Sequence, residues 1–310
     1  MTAPNVPPYI AIVGPTASGK SSFALQLAEE LGGEIINCDS IQFYQGFDIG
    51  SAKATQEERA HIPHHGIDLF SWKDTFDASQ YQKFAREAIA EISARGAVPI
   101  VVGGSGLYFR ALVGDRFDDL PSDPVLRGSL QHTHSEKERY EKLQKLDPVR
   151  AKEIHPHDEF RTLRALEVVM SSGQTFADCV QASRQAPFPP ACTIYMKPEK
   201  EILEANIRTR VASMLQSNWI AEVQGLLQAG CPLSAIPMSS IGYRQVAEFL
   251  QGRLSKENLE SEIFTATRRY AKKQRTWFRQ VKWDLCVHTI SSPSWKRHLL
   301  PFIQVRHPEW

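Results

Sequence analysis

Near the N-terminus, Gly14-Pro15-Thr16-Ala17-Ser18-Gly19-Lys20-Ser21 has the residue types and spacing of a polyphosphate cradle. The stretch fits G-x-x-x-x-G-K-[ST] throughout. Its glycines let backbone N–H groups turn inward around phosphate oxygens, and the N-terminus of a following helix adds partial positive charge. Lys20 brings a full charge, and the Ser21 hydroxyl suits Mg²⁺. The pattern says polyphosphate. It does not say nucleotide, and it does not say that a phosphoryl group moves. A motor or switch NTPase adds an apolar strand ending in Asp to hold the metal. Here VPIVV ends in Gly103-Gly104 instead. Only EIINCD offers such an Asp, and the polar Asn37 interrupts it.

That Asp, Asp39, stands where a second strand would reach the carboxyl edge of a parallel sheet, the edge at which open α/β folds bind ligands. A carboxylate there faces the phosphate loop and can take a proton from an incoming nucleophile, or hold Mg²⁺ through water. The plainer role is to cap the next turn together with Ser40. Gln42, close by, could read an adenine edge with two hydrogen bonds. GGSGLYF places Ser105 and Tyr108 at the same edge. Its paired glycines either admit close approach of a ligand or simply make the turn.

Further along, ATRRYAKKQRTWFRQVK carries Arg268, Arg269, Lys272, Lys273, Arg275, Arg279 and Lys282 with no acidic residue. At helical spacing Arg268, Lys272, Arg275, Arg279 and Lys282 share one face, with Trp277, Phe278 and Val281 on another. Surface helices normally mix signs, so a uniform sign points to a phosphate backbone as partner rather than to a solvated face. Arg161 and Arg164 in EFRTLRALEV are neighbours on a helix. Arg127 lies near the entry to the same region, and Arg208 and Arg210 are expected to open the helix that follows it.

The elements that must position these groups can be traced by periodicity. Tyr9 to Val13 is a short buried strand, and a helix from Lys20 to Leu31 stops at Gly32-Gly33. GEIINCDS gives a strand ending at Asp39, and GIDLF a third. ASQYQKFAREAIAEISAR is an amphipathic helix, and VPIVVGG a further buried strand. The alternation implies an α/β fold, a P-loop NTPase-like parallel sheet with helices on both faces. From about Asp115 to Pro190 the chain turns charged and helical between the breakers PSDP and PFPP, which reads as a helical insertion domain. ACTIYM returns to the sheet, long helices follow with starts at Ser239 and Ser255, and LCVHTI is a last strand. The expected organisation is a core over 1–114 and 191–310, interrupted by an insertion over 115–190.

A chain of 310 residues suits a core plus an insertion. The formal net charge of +1 excludes a blanket of basic charge but not a local basic face. The cysteines Cys38, Cys179, Cys192, Cys231 and Cys286 are scattered without a C-x-x-C pair, as in a reduced cytoplasmic protein. His61, His64 and His65 of HIPHH, and His132 and His134, read as loop and surface residues rather than zinc ligands. MTAPNVPPYI lacks the basic and apolar regions of a secretory leader, and no apolar run approaches a membrane span. Monomer is the default expectation.

Taken together, GPTASGKS, DSIQFYQGFDIGSAKAT, IPHHGID, GGSGLY, RTLRALEV, IGYRQ and KKQRTWFR resemble the tRNA dimethylallyltransferase family, the bacterial form of the tRNA isopentenyltransferases. The pieces run from Gly14 to Arg279. The resemblance implies transfer of a dimethylallyl group from dimethylallyl diphosphate to N6 of the adenosine just 3′ of the anticodon, with Mg²⁺. By resemblance the loop from Gly14 to Ser21 holds the diphosphate, Lys20 among it, and Thr16 contacts the oxygen bridging to the prenyl carbon. Asp39 would be the general base, and Arg210 matches an arginine that helps hold the diphosphate. Positions matching tRNA contacts are Asp39, Ser40, Ile41, Gln42, Ser105 and Arg127. The runs Phe160, Arg161, Thr162, Leu163, Arg164 and Ser239, Ser240, Ile241, Gly242, Tyr243, Arg244 match as well. So does Lys272, Lys273, Gln274, Arg275, Thr276, Trp277, Phe278, Arg279.

The chain departs from the family in places. Phe160 stands where Gln is usual, and Ser105 replaces the commoner Thr, keeping the hydroxyl. Asn218-Trp219 replaces a glycine-containing turn, and the sequence gives Trp219 no role. No zinc finger of the eukaryotic type follows the basic segment. Three other activities compete: a P-loop small-molecule kinase, a prenyltransferase acting on free adenine nucleotides, and an RNA-binding protein regulated by nucleotide. The basic helix argues against a small substrate, and the phosphate loop beside Asp39 against binding alone.

Overall fold

A computed structural model of the chain describes residues 7–114, 120–183, 186–288 and 294–307. It divides into two compact units, Met1–Leu112 with Pro189–Trp310, and Val113–Phe188. The division falls two residues before each end of the expected insertion.

The first unit is built on a parallel sheet. Its strands are β1 (Ile10–Val13), β2 (Gly33–Asn37), β3 (His64–His65), β4 (Val98–Gly103), β5 (Cys192–Met196) and β6 (Leu285–Val287), in the order β3-β2-β4-β1-β5-β6. β1, β2, β4 and β5 are buried at every residue, as a parallel sheet covered on both faces requires. Before the insertion come α1 (Lys20–Leu31), α2 (Gln56–His61), α3 (Ala78–Ala94) and α4 (Gly106–Val113). Phe23, Ala24, Leu27 and Ala28 of α1 join Ile10, Ile12, Ile35, Ile100 and Ile194 in one core. Helix α3 starts at a capping box of Asp77 and Gln80 and buries Tyr81, Ala85, Ile89 and Ile92.

The insertion holds α5 (Pro124–Thr133), α6 (Glu136–Leu146), α7 (Pro148–Glu153), α8 (Glu159–Ser172) and α9 (Phe176–Ala182). Asp123, Ser135, Asp147, Asp158 and Thr175 cap their starts with side-chain oxygens. Its small core joins Leu130, Leu143, Ile154, Leu163 and Leu166. After it, α10 (Lys200–Gln216), α11 (Trp219–Gln228), α12 (Tyr243–Leu250), α13 (Lys256–Phe278) and α14 (Ser294–Arg306) complete the first unit. A second core there gathers Phe47, Ile207, Val211, Trp219, Tyr243 and Ile263.

Several expected boundaries move. β2 stops at Asn37, where the Asn37 side chain takes up both the N–H and the carbonyl of Asp39 in place of a continued ladder. GIDLF is not a strand. The short third strand is His64–His65, paired with Ile35 and Ile36, and only Phe70 makes an isolated bridge, to Tyr44. His65 thus bonds Glu34 at 2.6 Å within the sheet rather than lying on a loop. Ser239 starts no helix, since α12 begins behind Gly242, whose φ is +90°. Ser255 precedes α13 without a side-chain cap. Arg208 and Arg210 lie in the middle of α10, not at its start. In LCVHTI, Leu285–Val287 is strand, while Thr289 and Ile290 lie outside the described residues.

Candidate active site

The phosphate loop joins β1 to α1, so its backbone opens at the carboxyl edge of the sheet. Thr16, Ala17, Ser18, Gly19, Lys20 and Ser21 line a cavity of about 370 Å³ together with Asp39, Arg210 and Gln274. Ser18 is buried there, and its hydroxyl has no hydrogen-bond partner among the described residues, which suits an oxygen-rich ligand. Lys20 donates to the Pro15 carbonyl at 2.6 Å. Burial, helped by the Arg210 guanidinium, pushes Lys20 down to about 7. Burial also pulls Arg210 below its ordinary value, with the Asp39 charge opposing it. A polyanion between two such cations restores both charges.

Asp39 both caps and faces the site. Its Oδ1 accepts the Ile41 N–H at 3.0 Å. Asn37 braces it: Asn37 Oδ1 accepts the Asp39 N–H at 2.8 Å, and Asn37 Nδ2 donates to the Asp39 and Gly66 carbonyls at 3.0 and 2.9 Å. The polar residue that broke the apolar pattern of β2 therefore fixes the carboxylate beyond it.

A second cavity, of about 320 Å³, adjoins the first. Thr16, Asp39, Ser51 and Arg210 line both. The second is otherwise walled by Ile41, Ile207, Val211, Met214, Trp219 and Ile263, with Ser239, Ser240, Tyr243 and Tyr270. Burial pushes the Tyr270 hydroxyl up, with the Asp39 charge adding and a bond to the Gln274 amide opposing. Trp219 gains a role here: 1 % exposed, it wedges between Gly50 and Gly242, where any added Cβ would come within 2.3 Å of its ring.

The loop after Asp39 is held from several sides. Glu222 accepts the Tyr243 hydroxyl at 2.6 Å and the Ile49 and Asp48 N–H groups at 2.8 and 3.2 Å. The Gly50 N–H donates to the Tyr243 oxygen at 3.1 Å. Lys53 donates to Tyr44, Asp48 and Asp68. Gln42 spends its amide nitrogen on the Ser51 and Ala52 carbonyls, so it is not set to read a base edge with both ends.

Gly103 and Gly104 line the phosphate-loop cavity, and the glycines of GGSG also admit close approach by other parts of the protein. An added Cβ would meet the Cys38 carbonyl at 2.0 Å from Gly103, Gln274 Nε2 at 2.4 Å from Gly104, and Trp277 at 2.4 Å from Gly106. They let β2 and α13 pack against the turn. Ser105 sits between, its N–H bonded to the Cys38 carbonyl at 3.2 Å.

Helix α13 presents its cations outward. Arg268, Arg269, Lys272, Arg275 and Arg279 line a groove of about 720 Å³ with Lys197 and Lys200, against the single carboxylate of Glu204. Lys273 and Thr276 are exposed, and Lys282 lies past the helix end. Gln274 and Phe278 are buried, and their expected RNA contact is corrected: they face inward because 271, 274 and 278 form the packed stripe of the helix. Tyr243, Thr162 and Leu163 are likewise core residues.

In the insertion Phe160 is 68 % exposed, with the Arg127 guanidinium 5.0 Å from its ring. Arg161 is exposed and pairs with Asp158. Arg164 is tied to Glu167 and to the Leu120 and Pro121 carbonyls. Ser239 and Ser240 bond the Ile236 and Pro237 carbonyls, and Arg244 is exposed. The sequence gives no role to Glu222 or Tyr270, and shows Asn37 only as a break in the apolar run, not as the brace of Asp39. Only Asn37, a polar residue inside an apolar run, carried a signal.

Residues 42–281 match the model of the IPP transferase family. The chain is 42 % identical to the tRNA dimethylallyltransferase of Syntrophobacter fumaroxidans over 88 % of its length and 81 % of that protein's. It is 41 % identical to that of Geobacter metallireducens over 87 % and 89 %. The structure resembles the tRNA isopentenylpyrophosphate transferase of Bacillus halodurans, with a TM-score of 0.70 at 32 % identity, covering 98 % and 97 % of the two chains. It also resembles a eukaryotic dimethylallyltransferase acting on tRNA, with a TM-score of 0.81 at 26 % identity over 96 % and 77 %.

Proposed function

The chain belongs to the IPP transferase family, and from that premise we propose how its residues share out the work of prenylating tRNA. The enzyme is a prenyltransferase that modifies tRNA. Its donor is dimethylallyl diphosphate, and its acceptor is N6 of the adenosine 3′-adjacent to the anticodon. N6 attacks the allylic carbon, the C–N bond forms, and the bond from carbon to the bridging oxygen breaks. Diphosphate leaves with the electron pair, and the N6 proton passes to Asp39.

One observation carries this assignment. Asp39, Thr16 and Arg210 stand where a phosphate-type cavity opens into a largely apolar one. A kinase needs its base near phosphorus. Alkyl transfer needs it near the carbon end, and the position of Asp39 on the border of an apolar chamber supports that reading. The phosphate loop with Lys20 grips the diphosphate, and the Thr16 hydroxyl and Arg210 meet charge gathering on the bridging oxygen. Adenine N6 is a poor nucleophile because its lone pair is delocalised into the ring, so proton removal by Asp39 assists attack. The adenosine must leave its stack to reach Asp39. The Ser21 hydroxyl and the Asp39 carboxylate line one cavity and are hard oxygen donors of the kind Mg²⁺ takes alongside phosphate oxygens. Bound there, Mg²⁺ would neutralise diphosphate charge.

The anticodon stem-loop docks on exposed Lys272, Lys273 and Arg279 and on half-buried Arg275, and Arg127, Phe160 and Arg161 of the insertion supply further contacts. The enzyme works as a monomer in the cytoplasm. Among the described residues no helix is long and apolar enough to cross a membrane. Incubation with Mg²⁺, dimethylallyl diphosphate and unmodified tRNA, followed by mass analysis of nucleosides, gives prenyl-adenosine. Its absence, with ATP turned over on a small acceptor, makes the protein a kinase.

A further inference from the structure

Gln274 lies in the middle of the cationic run KKQRTWFR, yet it is 6 % exposed. Its Oε1 accepts the Thr16 N–H at 2.8 Å, and its Nε2 donates to the Gly104 carbonyl at 2.8 Å. The partners are 258 and 170 residues away in the chain. One carboxamide therefore joins the phosphate loop, the turn after β4 and α13. Gly104 has to be glycine for it, since an added Cβ would stand 2.4 Å from Nε2.

The bond to Thr16 is unusual for a phosphate loop. Backbone N–H groups there commonly point at phosphate oxygens, but the Thr16 N–H is spent on Gln274, which leaves Thr16 its hydroxyl for a ligand. The next residue, Ala17, is in the left-handed region at φ 59°, a conformation costly for any residue with a Cβ. Outside bonds hold this turn on both sides: Gln274 at the Thr16 N–H, and Asn206 Nδ2 at the Ala17 carbonyl, 3.2 Å away. Without the amide, a part-buried N–H and a buried C=O would lose their partner, and the turn would be free to shift.

We propose that Gln274 is a positioning residue for the transfer: from the buried face of the cationic helix it fixes the Thr16 turn against Gly104, and so holds the Thr16 hydroxyl where the two cavities meet. The proposal rests on the assignment of the site to prenyl transfer. Both ends of the Gln274 amide are bonded to protein, so at the edge of the phosphate-loop cavity it acts through Thr16. It also gives the RNA-docking helix a direct bond into the leaving-group pocket.

The test is single-turnover prenylation of an anticodon stem-loop by the full chain, with RNA affinity measured across a salt series. If wild-type enzyme makes no prenyl-adenosine, the functional assignment itself fails. With wild type active, Gln274→Leu lowers the single-turnover rate by roughly 10- to 100-fold, as a misplacement of about an ångström does. RNA affinity stays within about twofold, and its salt slope is unchanged, unlike loss of a phosphate contact. The double variant Thr16→Ala with Gln274→Leu is no slower than Thr16→Ala alone, because the two act as one unit. An unchanged rate, a flattened salt slope, or penalties that multiply would each overturn the proposal. Should the Leu variant fail to fold, Gln274→Glu replaces it. Its second oxygen repels the Gly104 carbonyl when ionised and donates to it when protonated. Its rate relative to wild type therefore rises as pH is lowered from 8 to about 6, and a flat ratio counts against the proposal.

Discussion

Replacing Asp39 with Asn tests the base more cleanly than any deletion, and the structure says why. The backbone of Asp39 is held by Asn37, not by its own side chain. The one bond its carboxylate makes among the described residues, from the Ile41 N–H, is an acceptor role that an Asn side-chain oxygen can keep. Asp39→Asn therefore preserves the turn while removing the proton acceptor and one negative charge. Loss of a general base costs about 10²- to 10⁴-fold in rate, or roughly 3 to 5 kcal/mol of barrier. Binding moves the other way. Asp39 lines the same cavity as Lys20 and the phosphate loop, so without Mg²⁺ removing its charge leaves diphosphate affinity equal or tighter. The assay is single-turnover prenylation at saturating substrates, with donor and RNA affinities measured by calorimetry. Asp39→Ala serves as a comparison, because it also loses the Ile41 bond and is less stable by about 1 kcal/mol. Near-wild-type turnover in Asp39→Asn, or a rate loss matched by an equal loss of donor affinity, would refute Asp39 as the base.

Other outcomes follow from the same geometry. Lys272→Ala with Arg275→Ala weakens RNA binding and makes its salt slope shallower by roughly 1.5, as loss of two phosphate contacts does; an unchanged slope returns this face to a solvated role. Lys20 is protonated only below about 7 in the free site, and a bound diphosphate raises its pKa. Affinity for a non-reactive diphosphate analogue is therefore full below pH 7 and falls above it by up to about tenfold per unit; titration in two buffers of different ionisation heat detects proton uptake at pH 8, and its absence refutes the linkage. Glu222→Ala leaves the Asp48 and Ile49 N–H groups and the Tyr243 hydroxyl without their acceptor; it lowers stability by about 2 to 3 kcal/mol, seen as a drop of several degrees in the melting midpoint, while Glu222→Gln loses less.

The parts of the fold legible in the sequence are those encoded locally. The phosphate loop needs its glycines and Lys20 in one stretch, and α1 and the central strands announce themselves by periodicity. β3 was misplaced because two residues, His64 and His65, carry no strand pattern; only pairing with Ile35 and Ile36 makes them one. The start of α12 was misread because a serine promises a cap, whereas the chain turns at Gly242 to make room for Trp219. Residues that brace the site rather than build it were hidden for a single reason. Glu222 bonds Asp48 and Ile49, 174 and 173 residues away, and Tyr270 feels the charge of Asp39 from the other end of the chain, and nothing in their own neighbourhoods marks that. Gly104 was visible as a glycine that something must approach closely. What approaches is a side chain near the other end of the sequence.

The sorting of α13 shows how charge can mislead. A run with no acid between Glu262 and Asp284 invites every residue in it to be read as an RNA contact. Helical geometry divides the run. Ala271, Gln274 and Phe278 recur at spacings of three and four and are buried, while Lys272, Lys273 and Thr276 are exposed. An outer stripe that meets phosphates, as proposed, would account for cations opposed by one carboxylate in a chain whose net charge is only +1. The inner stripe bonds the phosphate loop and packs the glycine turn. Two functions thus share one rigid rod at alternate positions. An Arg→Ala change on the outside should alter affinity and its salt dependence, and a Gln274 change on the inside should alter rate. If an outer-face change lowered the single-turnover rate at saturating RNA, the two faces would not be separable, and the rod would be carrying RNA engagement into the pocket through Gln274.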